Sequence, residues 1–193
     1  MKNKIEKRIF MVNFRSAGEG ENRKLTGMAI VYNKKSDDMG FIEIVKRGAA
    51  TEALKKSDIR ALYGHNADSL LPLGRTSAGT LRAKETKAGV EIEIDPPDTQ
   101  FARDLMTAID RGDIQDMSFA FSVADDIWET KDGQDIRTIT KIDELFDVSF
   151  VAYPAYPDTT VALRNLEQHR NNAVTGDKNS VTAAKCRSLL SEL

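Results

Sequence analysis

Apolar and polar residues alternate with a period of two along several short stretches: Thr26 to Tyr32, Phe41 to Val45, Val90 to Ile94, Met117 to Val123, Ile136 to Ile142 and Leu145 to Val151. Such alternation predicts half-buried strands. Short spacings and turn residues such as Asp132-Gly133 predict antiparallel neighbours. One stretch follows the helical period instead. Over 99–111, Phe101, Leu105 and Ile109 share a face, Asp98 or Thr99 precedes them as N-cap, and Gly112 follows as terminator. A second, shorter helix is expected over 49–56. The sum is an α+β pattern, mainly antiparallel, most easily closed as a small β-barrel with helices packed around it.

The alternation stops after Val161. Residues 164–180 are rich in Asn, Gln and charge, and only a weak amphipathic stretch, 181–193, follows. This divides the chain into an expected folded domain, 1–163, and a flexible polar tail, 164–193. A chain of 193 residues is long enough to bury a core without disulfides or a structural metal.

Composition removes several function classes. The formal charge of -2 gives no basic field of the kind nucleic acid or anionic membranes require. Cys186 is the only cysteine, so no internal disulfide and no cysteine-built zinc site is possible. The basic start, Met1 to Arg8, leads into an apolar run broken at Asn13 and Arg15, short of a signal-peptide core. No segment reaches membrane-spanning length, and the expected compartment is the cytoplasm. The glycines fall into no phosphate-binding pattern, so no nucleotide cofactor is expected.

Candidate chemistry gathers around one histidine. Only two exist, and His169 lies in the polar tail, which leaves His65 of Gly64-His65-Asn66 as the base for chemistry at neutral pH. In Met117–Val123 the period of two sends Met117, Phe119, Phe121 and Val123 to one face and Ser118, Ala120 and Ser122 to the other. The strand ending at Val151 repeats this, with Asp147 and Ser149 opposite the aromatic and branched residues. Two strands thus offer a serine and a carboxylate away from the core. A serine hydroxyl becomes nucleophilic when a base takes its proton and a third group steadies that base. Ser118, His65 and Asp147 supply the three roles; Asp143 and Glu144 rival Asp147 as the acid.

Blander readings exist for each residue. A strand serine is commonly a solvated serine, a histidine after glycine a turn residue, and Asp147 a partner for a basic residue such as Arg75. A metal site built from His65, Asp68 and Asp95 lacks the paired ligand spacing of catalytic zinc, and no metal is expected.

Three fragments occur in order: Tyr63-Gly64-His65-Asn66 with Pro72-Leu73-Gly74-Arg75; Arg111-Gly112-Asp113-Ile114 leading to Met117-Ser118-Phe119-Ala120-Phe121; and Phe146-Asp147-Val148-Ser149 leading to Pro154-Ala155-Tyr156-Pro157. Their conjunction, over roughly 8–163, resembles the prohead protease family of tailed phages, itself similar to the herpesvirus maturation proteases. The resemblance implies a β-barrel ringed by helices with the active site on the barrel's outer face. It matches His65 to the family's histidine and Ser118 to its nucleophile. Herpesvirus enzymes use a second histidine as third member; the folded part of this sequence has none, so Asp147 stands there, with Glu144 in reserve. The oxyanion hole is expected around Ala155 and Tyr156, with charge from Arg164 or Arg75.

The same resemblance implies a serine endopeptidase enclosed in the procapsid within the host cytoplasm. Its partners would be the phage major capsid protein and its scaffolding segment, its products would include its own fragments, and it could associate as a homodimer or higher oligomer. The tail would suit self-removal or docking to the shell. Two other readings stay open: an inactive capsid-assembly module of the same fold, and an unrelated β-barrel binding domain.

Overall fold

A computed structural model describes residues 5–11, 15–17, 23–65, 72–152, 166–167 and 170–171. The chain divides into two units, Met1–Thr159 and Thr160–Leu193. In the second, the described residues are helical and Leu166 is buried. The first holds the sheets and the helices Thr51–Lys56 and Gln100–Arg111.

Among its described residues, ten strands and two helices follow in the order β1 (Glu6–Met11), β2 (Arg15–Ala17), β3 (Lys24–Val31), β4 (Ile42–Val45), α1 (Thr51–Lys56), β5 (Arg60–Tyr63), β6 (Gly74–Arg75), β7 (Leu81–Glu85), β8 (Gly89–Ile94), α2 (Gln100–Arg111), β9 (Asp116–Lys131) and β10 (Gln134–Val151). They form a six-stranded sheet of order β1-β9-β10-β5-β6, with β4 also on β10, and a four-stranded sheet of order β2-β3-β8-β7. The architecture is a sheet-rich α+β fold. Among the described residues no strand ladder closes the sheets into a barrel.

The Ile136 to Ile142 and Leu145 to Val151 alternations belong to one strand rather than two. β10 runs through the polar break at Asp143-Glu144 by shifting register against β9 between Ile139 and Asp147. Such bulges reset which residues face the core and bend the strand. Pairing is mainly antiparallel, but β4 and β5 both run parallel to β10, Ile42–Val45 beside Ile136–Ile139 and Arg60–Tyr63 beside Asp147–Phe150. The two short strands follow one edge of β10 in the same direction. Helix α1 loops out between them, opposite the bulged stretch, where Ile142 N–H donates to Ala49 O at 2.8 Å. Spacing along the chain does not distinguish this path from a hairpin.

Helix α2 has the ends its sequence specifies. Thr99 caps it by accepting from Ala102 N–H at 3.3 Å, and Gly112 stops it at φ 80°. Its buried stripe, Ala102, Leu105, Met106 and Ile109, joins a core that contains Leu25, Ile30, Ile92, Ile94, Met117, Phe119, Phe121, Val148 and Phe150. Phe101 packs edge-on against Tyr63 with ring centroids 6.2 Å apart. The helix therefore braces the end of β5. At Gly74 the two sheets approach so closely that a Cβ would stand 2.7 Å from Thr80 O and 2.9 Å from Ile94 Cγ2.

Strand β1, absent from the alternation pattern, pairs with β9 by its backbone and is tied to β10 and β4 by a buried ionic cluster. Arg137 makes hydrogen bonds to Glu6 (2.6 and 3.0 Å), Glu43 (3.0 Å) and Asp126 (2.6 Å). Arg8 binds Glu43 (2.5 and 2.9 Å) and Glu6 (2.6 Å). The side chains of Arg8, Arg137, Glu6 and Glu43 are at most 3 % exposed. The guanidinium carbons of Arg8 and Arg137 lie 5.7 Å from the ring centroids of Phe121 and Trp128. Burial opposes the ionisation of Glu6, yet Arg137 and Arg8 outweigh it and hold that carboxyl below the usual range. Burial likewise works against the charge on Arg137, but Glu6, Glu43 and Asp126 outweigh it and raise its pKa.

Candidate active site

The site is assembled on the face of β9 and β10 opposite Met117, Phe119 and Phe121. Ser149 is the direct cross-strand partner of Ser118, and Asp147 that of Ala120. Residues two apart on a strand share a face, and direct partners across a ladder stand close together. Ser118, Asp147 and Ser149 therefore meet as a consequence of register. The bulge between Leu145 and Asp147 sets that register.

His65 arrives from β5. That strand lies parallel to β10 with Tyr63 beside Phe150, and Gly64 N–H donates to Phe150 O at 2.9 Å. Gly64 and His65 both have left-handed backbone, φ 64° and 57°. A Cβ on Gly64 would touch nothing within 4 Å, so backbone conformation rather than space calls for glycine there. The left-handed pair turns the chain so that the imidazole lies over the small residues of β9 and β10. A histidine at positive φ is strained by about 1 kcal/mol, which the ring's hydrogen bonds offset.

His65 Nε2 is 2.6 Å from Ser118 Oγ, and Nδ1 is 2.6 Å from Asp147 Oδ1. Ser149 Oγ donates to Asp147 Oδ1 at 2.7 Å and lies 3.2 Å from His65 Nδ1. An ionised carboxylate only accepts, so the arrangement assigns the proton to Nδ1 and leaves Nε2 to accept from the Ser118 hydroxyl. The side chains of His65 and Asp147 are 10 and 13 % exposed. A low-dielectric setting strengthens such a chain of hydrogen bonds. Chemically, the row can take a proton from Ser118 and steady the resulting imidazolium.

The structure brings together the three residues singled out in the sequence, with one correction. The face carrying Ser118, Ala120 and Ser122 is covered rather than solvated; these residues are 1, 2 and 2 % exposed. Period-two alternation separates two faces but does not say whether the second is covered; here the His65 ring meets Ser118. Of the rival acids, Glu144 is exposed and pairs in register with Ser122, while Asp143 forms an ion pair with Lys56 at 2.8 Å. Arg75, considered as a partner of Asp147 and as an oxyanion contributor, is bound to Asp58 instead, with Nε 2.8 Å from Oδ2. It also stands opposite Arg60, at the far end of β5 from His65. Ala155, Tyr156, Arg164, Asp68 and His169 lie outside the described residues. Asp95 is engaged by Arg82 at 2.7 and 2.8 Å. Among the described residues no group of three or more His, Cys, Asp or Glu side chains could hold a metal ion, and no helix is long and apolar enough to cross a membrane.

No curated protein and no solved structure matches the chain. A family model does: that of the caudovirus prohead serine protease, over residues 11–173. This span holds β5, the Gly64-His65 turn and all of β9 and β10. The chain belongs to the caudovirus prohead serine protease family.

Proposed function

We propose that this protein is a serine endopeptidase in which Ser118 is the nucleophile, His65 the general base and acid, and Asp147 the group that orients His65. Membership of the family itself carries serine protease activity in capsid maturation, association with phage capsid proteins and a place inside the procapsid. The observation that supports the residue assignment is the unbroken row from Ser118 Oγ through both nitrogens of His65 to Asp147 Oδ1, with 2.6 Å at each junction.

The chemistry is acyl transfer. Ser118 Oγ gives its proton to His65 Nε2 as it bonds to the carbon of the scissile carbonyl. Collapse of the tetrahedral intermediate breaks the C–N bond, and His65 hands the proton to the departing amine. His65 then takes a proton from water as the water oxygen attacks the Ser118 ester; the C–O bond to Ser118 breaks and the proton returns to Oγ. Asp147 holds the Nδ1 proton and stabilises the positive ring at both stages. The substrates belonging to this reading are the scaffold or the N-terminal segment of the major capsid protein, and the chain itself. The domain, 1–163, does the chemistry, and the tail, 164–193, is the segment removed or docked to the shell. The herpesvirus-type barrel belongs to the same proposal, supported by the sheet-rich fold and by a serine on the face turned from the core.

Treatment with a fluorophosphonate, which reacts with activated serines, tests the assignment. Peptide mapping is expected to find the adduct on Ser118 in the wild type and none in Ser118→Ala. Labelling of another serine, or equal labelling of both proteins, would overturn it.

A further inference from the structure

We infer that Ser149 is a positioning residue of the proteolytic reaction: its hydroxyl holds Asp147 against His65 Nδ1 and so keeps His65 in the tautomer whose Nε2 faces Ser118. This rests on the Ser118–His65–Asp147 reading and adds a fourth group to it.

Asp147 Oδ1 accepts at once from Nδ1–H, 2.6 Å away, and from Ser149 Oγ–H, 2.7 Å away. In the other tautomer, Nδ1 and Oδ1 would both be acceptors facing each other at that distance. Ser149 Oγ, 2.7 Å from Oδ1 and 3.2 Å from Nδ1, carries a single proton and cannot give a full hydrogen bond to both acceptors. A carboxylate free to rotate could swing Oδ1 away and relieve that clash; one tied to Ser149 is held in place. The tie therefore raises the free energy of the unproductive tautomer relative to the productive one.

The position is also built to hold still. Ser149 is 0 % exposed, lies on β10 between β9 and β5, and faces Ser118 directly across the ladder. Ala120, beside Asp147 on β9, brings no polar side-chain atom, and Arg60, beside it on β5, is engaged with Asp58, its Nη1 donating to Asp58 O at 3.1 Å and its Nη2 3.5 Å from Asp58 Oδ2; Ser149, two residues on along the same strand, donates to Asp147 Oδ1. A serine that merely satisfied a buried site would not need to touch the oxygen His65 uses.

The test follows fluorophosphonate acylation of the full chain by intact mass over a range of probe concentrations. Ser149→Ala is expected to lower the maximal acylation rate on the order of tenfold while the half-saturating probe concentration stays the same. Ser149→Thr, which keeps the hydroxyl, is expected to return to within about twofold of wild type; Ser149→Val, of the same size without it, is expected to behave as Ser149→Ala. The low-field proton resonance of His65 Nδ1–H should move upfield in the Ala and Val variants and stay in place in the Thr variant. The Thr and Val pair carries the comparison if Ser149→Ala loses thermal stability. Equal losses in Thr and Val, or Ala and Val reacting as wild type with an unmoved resonance, would overturn the role of Ser149 alone. Absence of any Ser118 adduct in the wild type would overturn the underlying site reading and this inference with it.

Discussion

Replacing Arg137 by Met should cost more than any surface substitution in this protein, and the cost should shrink as pH falls. The guanidinium is 1 % exposed and makes four hydrogen bonds to Glu6, Glu43 and Asp126. Met fills similar volume but leaves Glu6 and Glu43 with Arg8 as their remaining guanidinium, and removing one partner of a buried ionic group costs about 3–5 kcal/mol. A second estimate comes from protonation. The folded variant can relieve itself by neutralising one glutamate, which at pH 7 costs roughly 3.7 kcal/mol for a group of ordinary pKa near 4.3, and at pH 5 only about 1 kcal/mol. The two estimates agree at neutral pH. In the wild type, Glu6 titrates below its usual value, so its contribution to stability is complete above the unfolded-state pKa. That contribution is lost as pH falls through the lower folded value. The variant should therefore approach the wild type in acid. Urea denaturation followed by far-ultraviolet circular dichroism measures this, because Trp128 lies beside Arg137 and its fluorescence would report the substitution itself. Adding Glu6→Gln should recover part of the loss. A difference below about 1 kcal/mol at pH 7, or one that does not change between pH 7 and pH 5, would refute the claim that the cluster's charges hold β1 in place.

Other substitutions separate site from scaffold. Asp147→Asn keeps the shape of the site but lets His65 adopt the wrong tautomer, and should reduce cleavage on the order of 10³- to 10⁴-fold; Glu144→Gln should leave it unchanged, and the reverse ranking would move the acid to Glu144. Gly74→Ala places a Cβ 2.7 Å from a backbone oxygen, so denaturation should show a loss of about 1–3 kcal/mol, and an unaltered midpoint would mean the sheets are not in contact there.

What the sequence disclosed was local. The ends of α2 were legible because Thr99 and Gly112 act on neighbouring backbone groups. The strands around Ser118 and Asp147 were legible because each alternates core and small residues over its own length. Long-range pairing was not legible. Glu6 and Arg137 are 131 residues apart, and no periodicity links a basic-looking start of the chain to a buried arginine in β10. Strand β5 is four residues long, too short for alternation to register, and its parallel course beside β10 depends on α1 bulging out between β4 and β5. Ser149 was visible on the right face beside Asp147, but only its hydrogen bond to the oxygen that His65 uses gives it a role. The candidate triad could be named because its residue types are few: one histidine lies outside the tail, and few carboxylates stand on the serine's side of a strand.

Mass spectrometry of the concentrated protein with its phage capsid protein, followed over time beside Ser118→Ala and His65→Ala, is the most direct test of the central claim that Ser118 and His65 break peptide bonds. Fragments of the capsid protein or of the chain should accumulate with the wild type and with neither variant. All three mixtures staying intact would contradict the claim and leave an assembly module of the same fold; all three fragmenting alike would place the cleavage elsewhere than at Ser118 and His65.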